Sequence, residues 1–128
     1  MGLLRHQGPQ PWHPASPETH AAARRAAELC AQRGTTLERV ALGFGFASAN
    51  LAGAGAETPS VVGLSSVAEV EETVSVWKSI YGDGEGRKGR RPGEGLAAKA
   101  EEQLALEREV VAIFRESGTY NLGWDSGV

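Results

Sequence analysis

The chain has 128 residues, a formal net charge of −3 and 41% hydrophobic residues, many of them alanine, so we expect one small core. The acidic balance gives no electrostatic reason to expect nucleic-acid binding. One cysteine, Cys30, excludes an intramolecular disulfide, and no apolar run approaches the ~20 residues that span a bilayer. We therefore expect a soluble, cytoplasmic chain with no nucleic-acid partner and no membrane partner.

The first element predicted along the chain is a helix that follows a loop. Residues 1–17 hold four prolines and two glycines without periodicity, which is typical of a loop. Ser16-Pro17-Glu18 is typical of a helix start, because serine caps, proline suits the first helical position and an early acid complements the dipole. Small and apolar residues then recur at helical spacing until Gly34, which predicts the end of the helix.

The next predicted elements are a second helix, a loop and a strand. Thr35 and Glu38 have the spacing of a capping box and predict that the second helix begins there. Residues 48–59 are mostly small and predict a loop. The apolar run 60–64 (Ser-Val-Val-Gly-Leu) predicts a short buried strand.

Two further helices are predicted in the second half of the chain. Ser66 and Glu69 have capping-box spacing at the start of a third helix. Residues 82–95 are rich in glycine and charge and predict a flexible insertion. A fourth helix is expected over about 96–116, so that residues 96–128 form a C-terminal helix and tail. The apolar stripe of the third helix consists of Val67, Val70, Val74, Trp77 and Tyr81.

Three stretches agree in their order with one known family. They are Pro-Trp-His-Pro-Ala-Ser-Pro-Glu at 11–18, Val-Val-Gly-Leu-Ser-Ser-Val-Ala-Glu-Val-Glu-Glu-Thr-Val at 61–74, and Trp-Asp-Ser-Gly at 124–127. Together they resemble the aldo-keto reductases, in the branch of the D-arabinose and L-galactose dehydrogenases. The resemblance covers about residues 1–81 and the tail. The loop at 51–58 and the insertion at 82–95 match no part of the family pattern.

The resemblance implies an α/β fold, the C-terminal fragment of a (β/α)8 TIM barrel that is mostly helical and has one strand. A complete barrel needs roughly 250 residues, so the 128 residues here would form a partial oxidoreductase domain over 1–128. In the family, a stretch similar to Met-Gly-Leu-Leu lies inside the protein. We therefore expect Met1 to be an internal residue of a longer enzyme.

The resemblance also implies a site for the adenosine half of NAD or NADP, where the last strand of the family's barrel meets the following helix. A helix N-terminus offers free N–H groups to phosphate or ribose oxygens, which suits that position. Glu69 would repel a 2′-phosphate and accept from a free 2′-hydroxyl, which favours NAD. Thr73 departs from the usual Asn that meets the adenine amino group. The matching cofactor positions are Gly63, Ser65, Ser66, Glu69, Glu72 and Thr73.

The activity implied by the resemblance is the oxidation of an aldose at C1, with D-arabinose or L-galactose as the type of substrate. The family's catalytic Asp, Tyr, Lys and His come from early strands, and no position of this chain aligns with them. Trp124 would help to wall the substrate pocket of the whole enzyme. We therefore expect no catalytic residue and no turnover in the isolated chain, and no catalytic role for Tyr81 or Tyr120.

The sequence also allows several alternatives. Ser66 and Glu69 form a plain capping box without any ligand, and Gly63 is explained by ordinary turn geometry. The recurrence of His6, His13 and His20 every seven residues is better explained by coincidence than by a metal site. The whole chain also suits a non-catalytic helical module that binds a partner, including self-association through uncovered apolar helix faces.

Overall fold

Four helices make up the regular structure in the described part of the chain, which a computed structural model gives for residues 2–5, 8, 10–48, 61–81 and 101–123. They are α1 (Pro17–Gln32), α2 (Leu37–Ser48), α3 (Val67–Tyr81) and α4 (Glu101–Glu116). The chain divides into two compact units, the first formed by Met1–Val40 with Glu102–Val128 and the second by Ala41–Glu101. Within the described ranges, no helix combines the length and the apolar character that crossing a membrane requires.

The start of α1 confirms the prediction made from Ser16-Pro17-Glu18. Ser16 has extended backbone angles and its Oγ accepts a hydrogen bond from the Thr19 N–H at 3.2 Å. This bond satisfies one of the four donors that a helix leaves unpaired at its first turn. The end is also as predicted, because Gly34 adopts the left-handed conformation with φ +69° just after the last helical turn.

The core of the first unit joins α1, the first turn of α2 and α4. The α1 side chains in it are small, and both Ala26 and Cys30 have no exposed surface. Small side chains let the backbones of neighbouring helices approach closely, while Leu37 supplies the bulk between them. The buried members of this core are Ala26, Cys30, Leu37, Val40, Leu106 and Val110.

The core of the second unit lies between the C-terminal half of α2 and the C-terminal half of α3. Phe46, Val76 and Ile80 are buried there. The Tyr81 hydroxyl donates a hydrogen bond to the Phe46 carbonyl at 2.6 Å, and so ties the end of α3 to α2. The residues packed at the edge of this core are Leu42, Val62, Trp77 and Tyr81.

The predicted fold class, a TIM-barrel fragment with one strand, is wrong. The described residues of the predicted strand, Val61–Leu64, form irregular backbone, and the structure describes four helices and no strand in its part of the chain. An apolar run becomes a strand only when a neighbouring strand pairs with its N–H and C=O groups, and the described residues supply no such neighbour. The expectation that this run is buried is also wrong at Val61, which is 98% exposed.

The predicted start of α2 is wrong by one residue. The cap is Thr36, whose Oγ1 accepts from the Arg39 N–H at 3.2 Å, and the helix begins at Leu37. The helix then continues through two glycines to Ser48. Residues 48–59 were predicted to be a loop, and of these only Ser48 is described. The predicted loop at 51–58, the predicted insertion at 82–95, the first residues of the predicted fourth helix and residues 124–128 of the tail lie outside the described residues.

Candidate functional site at the start of α3

The candidate site begins with the cap of α3, which Ser66 provides. Its Oγ accepts a hydrogen bond from the Glu69 N–H at 3.2 Å, as the spacing of the two residues predicts. Ser66 lies on the surface with its hydroxyl at the helix start. The capping interpretation of this pair is therefore confirmed, and any role in binding a ligand would come in addition to it.

The Glu69 carboxylate makes a contact that the usual capping box does not have. Its Oε2 accepts from the Ser65 N–H at 2.6 Å and from the Ser65 Oγ–H at 2.9 Å. In the usual box this carboxylate reaches the N–H of the cap residue, which here is Ser66. The side chain of Glu69 thus binds one residue further back. The three residues Ser65, Ser66 and Glu69 are brought together as one hydrogen-bonded group.

Gly63, Glu72 and Thr73 lie on either side of this group. A Cβ built on Gly63 would meet no atom within 4 Å, so the described chain itself does not require a glycine there. Thr73 lies one turn after Glu69 on the same side of α3, and both are partly buried. A contact between these residues and a cofactor stays a prediction.

The charges of the candidate site decide which part of a dinucleotide it suits. The first half of α3 carries Glu69, Glu71 and Glu72, and the single basic residue of the helix, Lys78, comes two turns later. Glu71 lies on the opposite side of α3 from Glu69, so the carboxylates near the site are Glu69 and Glu72. These two would repel a 2′-phosphate, and a carboxylate accepts well from a hydroxyl. The residues present therefore fit a ribose with free hydroxyls, and they do not fit a phosphate.

Among the described residues, the tyrosines take part in contacts within the protein. The Tyr81 hydroxyl is engaged with the Phe46 carbonyl, and the Arg115 guanidinium lies 4.7 Å from the centre of the Tyr120 ring. The described ranges contain no group of three His, Cys, Asp or Glu side chains placed to hold a metal ion. Trp124, predicted to wall a substrate pocket, lies outside the described residues.

One cluster in the first unit was not foreseen from the sequence. His13 and His20 meet edge to face with ring centres 5.7 Å apart, and Trp12 lies 6.2 Å from His13. His13 is buried, and its Nδ1 accepts from the Ala15 N–H at 3.2 Å. Burial, and then the charge of His20, lower the pKa of His13 from its ordinary value. The seven-residue spacing could not reveal this contact, because it depends on how the loop folds back onto α1.

A known protein shares sequence similarity with part of this chain. A stretch of 75 residues is 40% identical to the L-galactose dehydrogenase of Arabidopsis thaliana. It makes up 59% of this chain and 22% of that dehydrogenase. The similarity supports the aldo-keto reductase family.

The same comparison limits which properties of the dehydrogenase can be attributed to this chain. No family model matches the chain. The matched stretch is about a fifth of the length of the dehydrogenase. The similarity therefore supports an aldo-keto reductase-like sugar dehydrogenase region without selecting a branch of the family. The activity, the sugar and the cofactor of the whole enzyme are proposals for this chain.

Proposed function

We propose that the chain is the C-terminal part of an NAD(P)-dependent aldo-keto reductase that oxidises an aldose of the D-arabinose or L-galactose type at C1. The observation that carries the proposal is the 40% identity to L-galactose dehydrogenase over 75 residues. The resemblance of the sequence stretches at 11–18, 61–74 and 124–127 to the family agrees with it. NAD is the favoured cofactor, because the start of α3 is acidic.

In this proposal the start of α3 contributes the edge of the site that holds the adenosine ribose. Ser65 fixes the position of the Glu69 carboxylate through two hydrogen bonds. A carboxylate offers about four lone-pair positions, so the same group is able to accept from a ribose hydroxyl as well. Glu72 and Thr73, one turn later, are the proposed contacts to the adenine, while Gly63 lets the nucleotide approach the backbone. The tail residue Trp124 is proposed for the sugar pocket.

The isolated 128 residues are proposed to be inactive. Carbonyl chemistry of this family needs a general acid beside the reacting carbon, and no residue of the chain aligns with the family's Asp, Tyr, Lys or His. The Tyr81 hydroxyl is held by the Phe46 carbonyl at 2.6 Å. The expected result is no reduction of NAD above background when the pure chain is mixed with D-arabinose or L-galactose. Measurable turnover would contradict this part of the proposal.

The native polypeptide provides the decisive test of the family proposal. It is captured with an antibody against the tail Trp-Asp-Ser-Gly at 124–127, weighed intact and assayed with aldoses and NAD. The proposal expects a mass well above 13.5 kDa, peptides that read upstream of Met1, and aldose-dependent reduction of NAD. A native mass of 13.5 kDa without activity would overturn it.

The role of Glu69 in cofactor choice has its own test, made on that native polypeptide. Glu69→Gln keeps an acceptor for Ser65 but removes the charge, so the preference for NAD over NADP should fall about tenfold. Glu71→Gln is the matched control, because it removes an equal charge on the opposite side of α3. The readout is the ratio of kcat/KM for the two cofactors. Equal shifts in both variants would show that Glu69 does not face the ribose.

A non-catalytic binding role is the second candidate function. One observation favours it, namely that α3 exposes several valines in the described part of the chain. Exposed apolar surface of this kind is typical of contact with another polypeptide.

A further inference from the structure

Helix α3 has two apolar faces, and its own unit covers only one of them. Val76 and Ile80 are buried against α2 in the core of the second unit. On another side, Val67 is 75% exposed, Val70 45% and Val74 44%. At 3.6 residues per turn these three valines lie within about 60° of each other around the helix. Val67, Val70 and Val74 form the valine face.

The valine face continues into the segment before the helix. Leu64 is 40% exposed and Val61 is 98% exposed, so apolar surface extends from the face toward the start of α3. Single exposed apolar side chains are common on proteins, but several on one side of a helix indicate a contact surface. We therefore expect the valine face to bind a partner, and the neighbouring charges indicate which partner.

Two exposed charges of opposite sign flank the valine face. Glu71 and Lys78 lie on the same side of α3, next to Val74, and are seven residues apart. Their midpoint along the helix falls beside Val74. If a second copy packs antiparallel about a two-fold axis at that point, Glu71 of each copy meets Lys78 of the other. Parallel pairing would instead place each charge beside its like.

We propose that the valine face binds a second copy of this chain, with the two α3 helices antiparallel and Val74 of each copy at the two-fold axis. The contact is closed and isologous, so it forms a dimer and not a filament. It is also small compared with the ~1,200 Å² of a stable interface, so the dimer should form and dissociate with concentration. The proposal concerns the 128-residue chain and is argued from the described residues of α3, so its failure would leave the proposed enzymatic function untouched.

The first test is sedimentation velocity of the full chain between about 1 µM and about 500 µM, a range chosen for a weak interface. The expected result is a reversible shift from monomer to dimer. Val74→Glu should weaken the dimer at least about tenfold, because it brings two like charges together at the axis. Ala68→Glu is the matched control, since it adds the same charge at an exposed position of α3 away from the valine face.

The second test is charge reversal, which also works if Val74→Glu impairs folding. Glu71→Lys alone and Lys78→Glu alone should each weaken the dimer about three- to tenfold, since each single change creates two like-charge contacts per dimer. The double variant should restore the affinity, because it restores opposite charges across the axis. Circular dichroism confirms that each variant keeps its helices.

Three results would contradict the proposed dimer or its arrangement. A monomer at every concentration would overturn the proposal. A dimer that Val74→Glu does not weaken would place the interface elsewhere. A double variant that stays as weak as the single changes would contradict the antiparallel arrangement.

Discussion

Helices α1 and α3 start in the same way and end up in different surroundings. Each begins with a serine whose Oγ accepts from the N–H three residues later, at Ser16 and Ser66. Helix α1 then buries an entire small-residue face, with Ala22, Ala23, Ala26 and Cys30 at most 1% exposed. Helix α3 buries Val76 and Ile80 in its C-terminal half and leaves the valine face exposed. Local sequence sets where a helix begins, while the rest of the polypeptide decides which faces are covered.

The largest expected effect is in the core that contains α1. Leu37 is 1% exposed and fills the space beside Ala26 and Cys30, so Leu37→Ala should lower the free energy of unfolding by about 2–5 kcal/mol. Leu122→Ala removes the same atoms from a side chain that is 56% exposed and should cost less than about 0.5 kcal/mol. Urea unfolding of both variants measures the difference. Similar losses would mean that Leu37 does not lie in a closed core.

The two faces of α3 are compared most closely by one pair of valines. Val76 is 2% exposed and Val74 is 44% exposed, two residues apart on the same helix. Val76→Ala should destabilise the second unit by about 1.5–3 kcal/mol, and Val74→Ala by less than about 0.5 kcal/mol. Both are measured at low protein concentration, where the monomer prevails. A larger loss for Val74 than for Val76 would reverse the assignment of the faces.

The two serine caps should have equal and smaller effects. Ser66→Ala and Ser16→Ala each leave an N–H of the first turn without its acceptor, which costs about 0.5–2 kcal/mol. Ser66→Thr and Ser16→Thr keep the hydroxyl and serve as controls. Thermal unfolding followed by circular dichroism gives the values. A Ser66→Ala variant as stable as the parent would show that the hydrogen bond to Glu69 N–H contributes nothing.

The smallest predicted effect depends on pH and concerns the first unit. The pKa of buried His13 lies below its ordinary 6.5, so the unfolded chain binds the proton more readily than the folded chain. The stability from neutral His13 is therefore fully present above pH 6.5 and declines as the pH falls below that value. Protonation of Nδ1 would also remove the acceptor for the Ala15 N–H.

The control for this pH dependence is His13→Asn, which keeps a neutral acceptor near Ala15 and cannot titrate. Urea midpoints are measured for both proteins from about pH 7 downward, across the window that the lowered pKa defines. The slope with pH should be smaller in the variant. Identical slopes would show that other groups cause the loss of stability in acid.

Interactions between residues close together in the chain could mostly be predicted from the sequence, and interactions between distant residues could not. The caps at Ser16 and Ser66 span three residues, and both were predicted at the right residue because nothing distant takes part in them. The cap of α2 was misplaced by one residue, since Thr35 and Thr36 offer the same hydroxyl. The hydrogen bonds from Ser65 to Glu69 were not foreseen, although their members were singled out as site residues.

The failures involve partners that are distant in the chain. The apolar run at 61–64 has the composition of a strand, but pairing needs a second strand that the described residues do not contain. The contact between His13 and His20 depends on a loop that turns back onto α1. Periodicity placed Val67 and Val74 in one stripe with Trp77 and Tyr81, yet the C-terminal members are packed in the core and the N-terminal ones are exposed. No local pattern distinguishes these two halves.

Thiol labelling of single cysteines tests the difference between the covered and uncovered faces most directly. Cys30 has no exposed surface and burial raises the pKa of its thiol, so in the parent chain it should react only when the protein unfolds. At low micromolar protein concentration, the thiol added by Val74→Cys should react nearly as fast as it does in urea. The thiol added by Val76→Cys should react as slowly as Cys30. Equal rates at 74 and 76 would contradict the two faces assigned to α3.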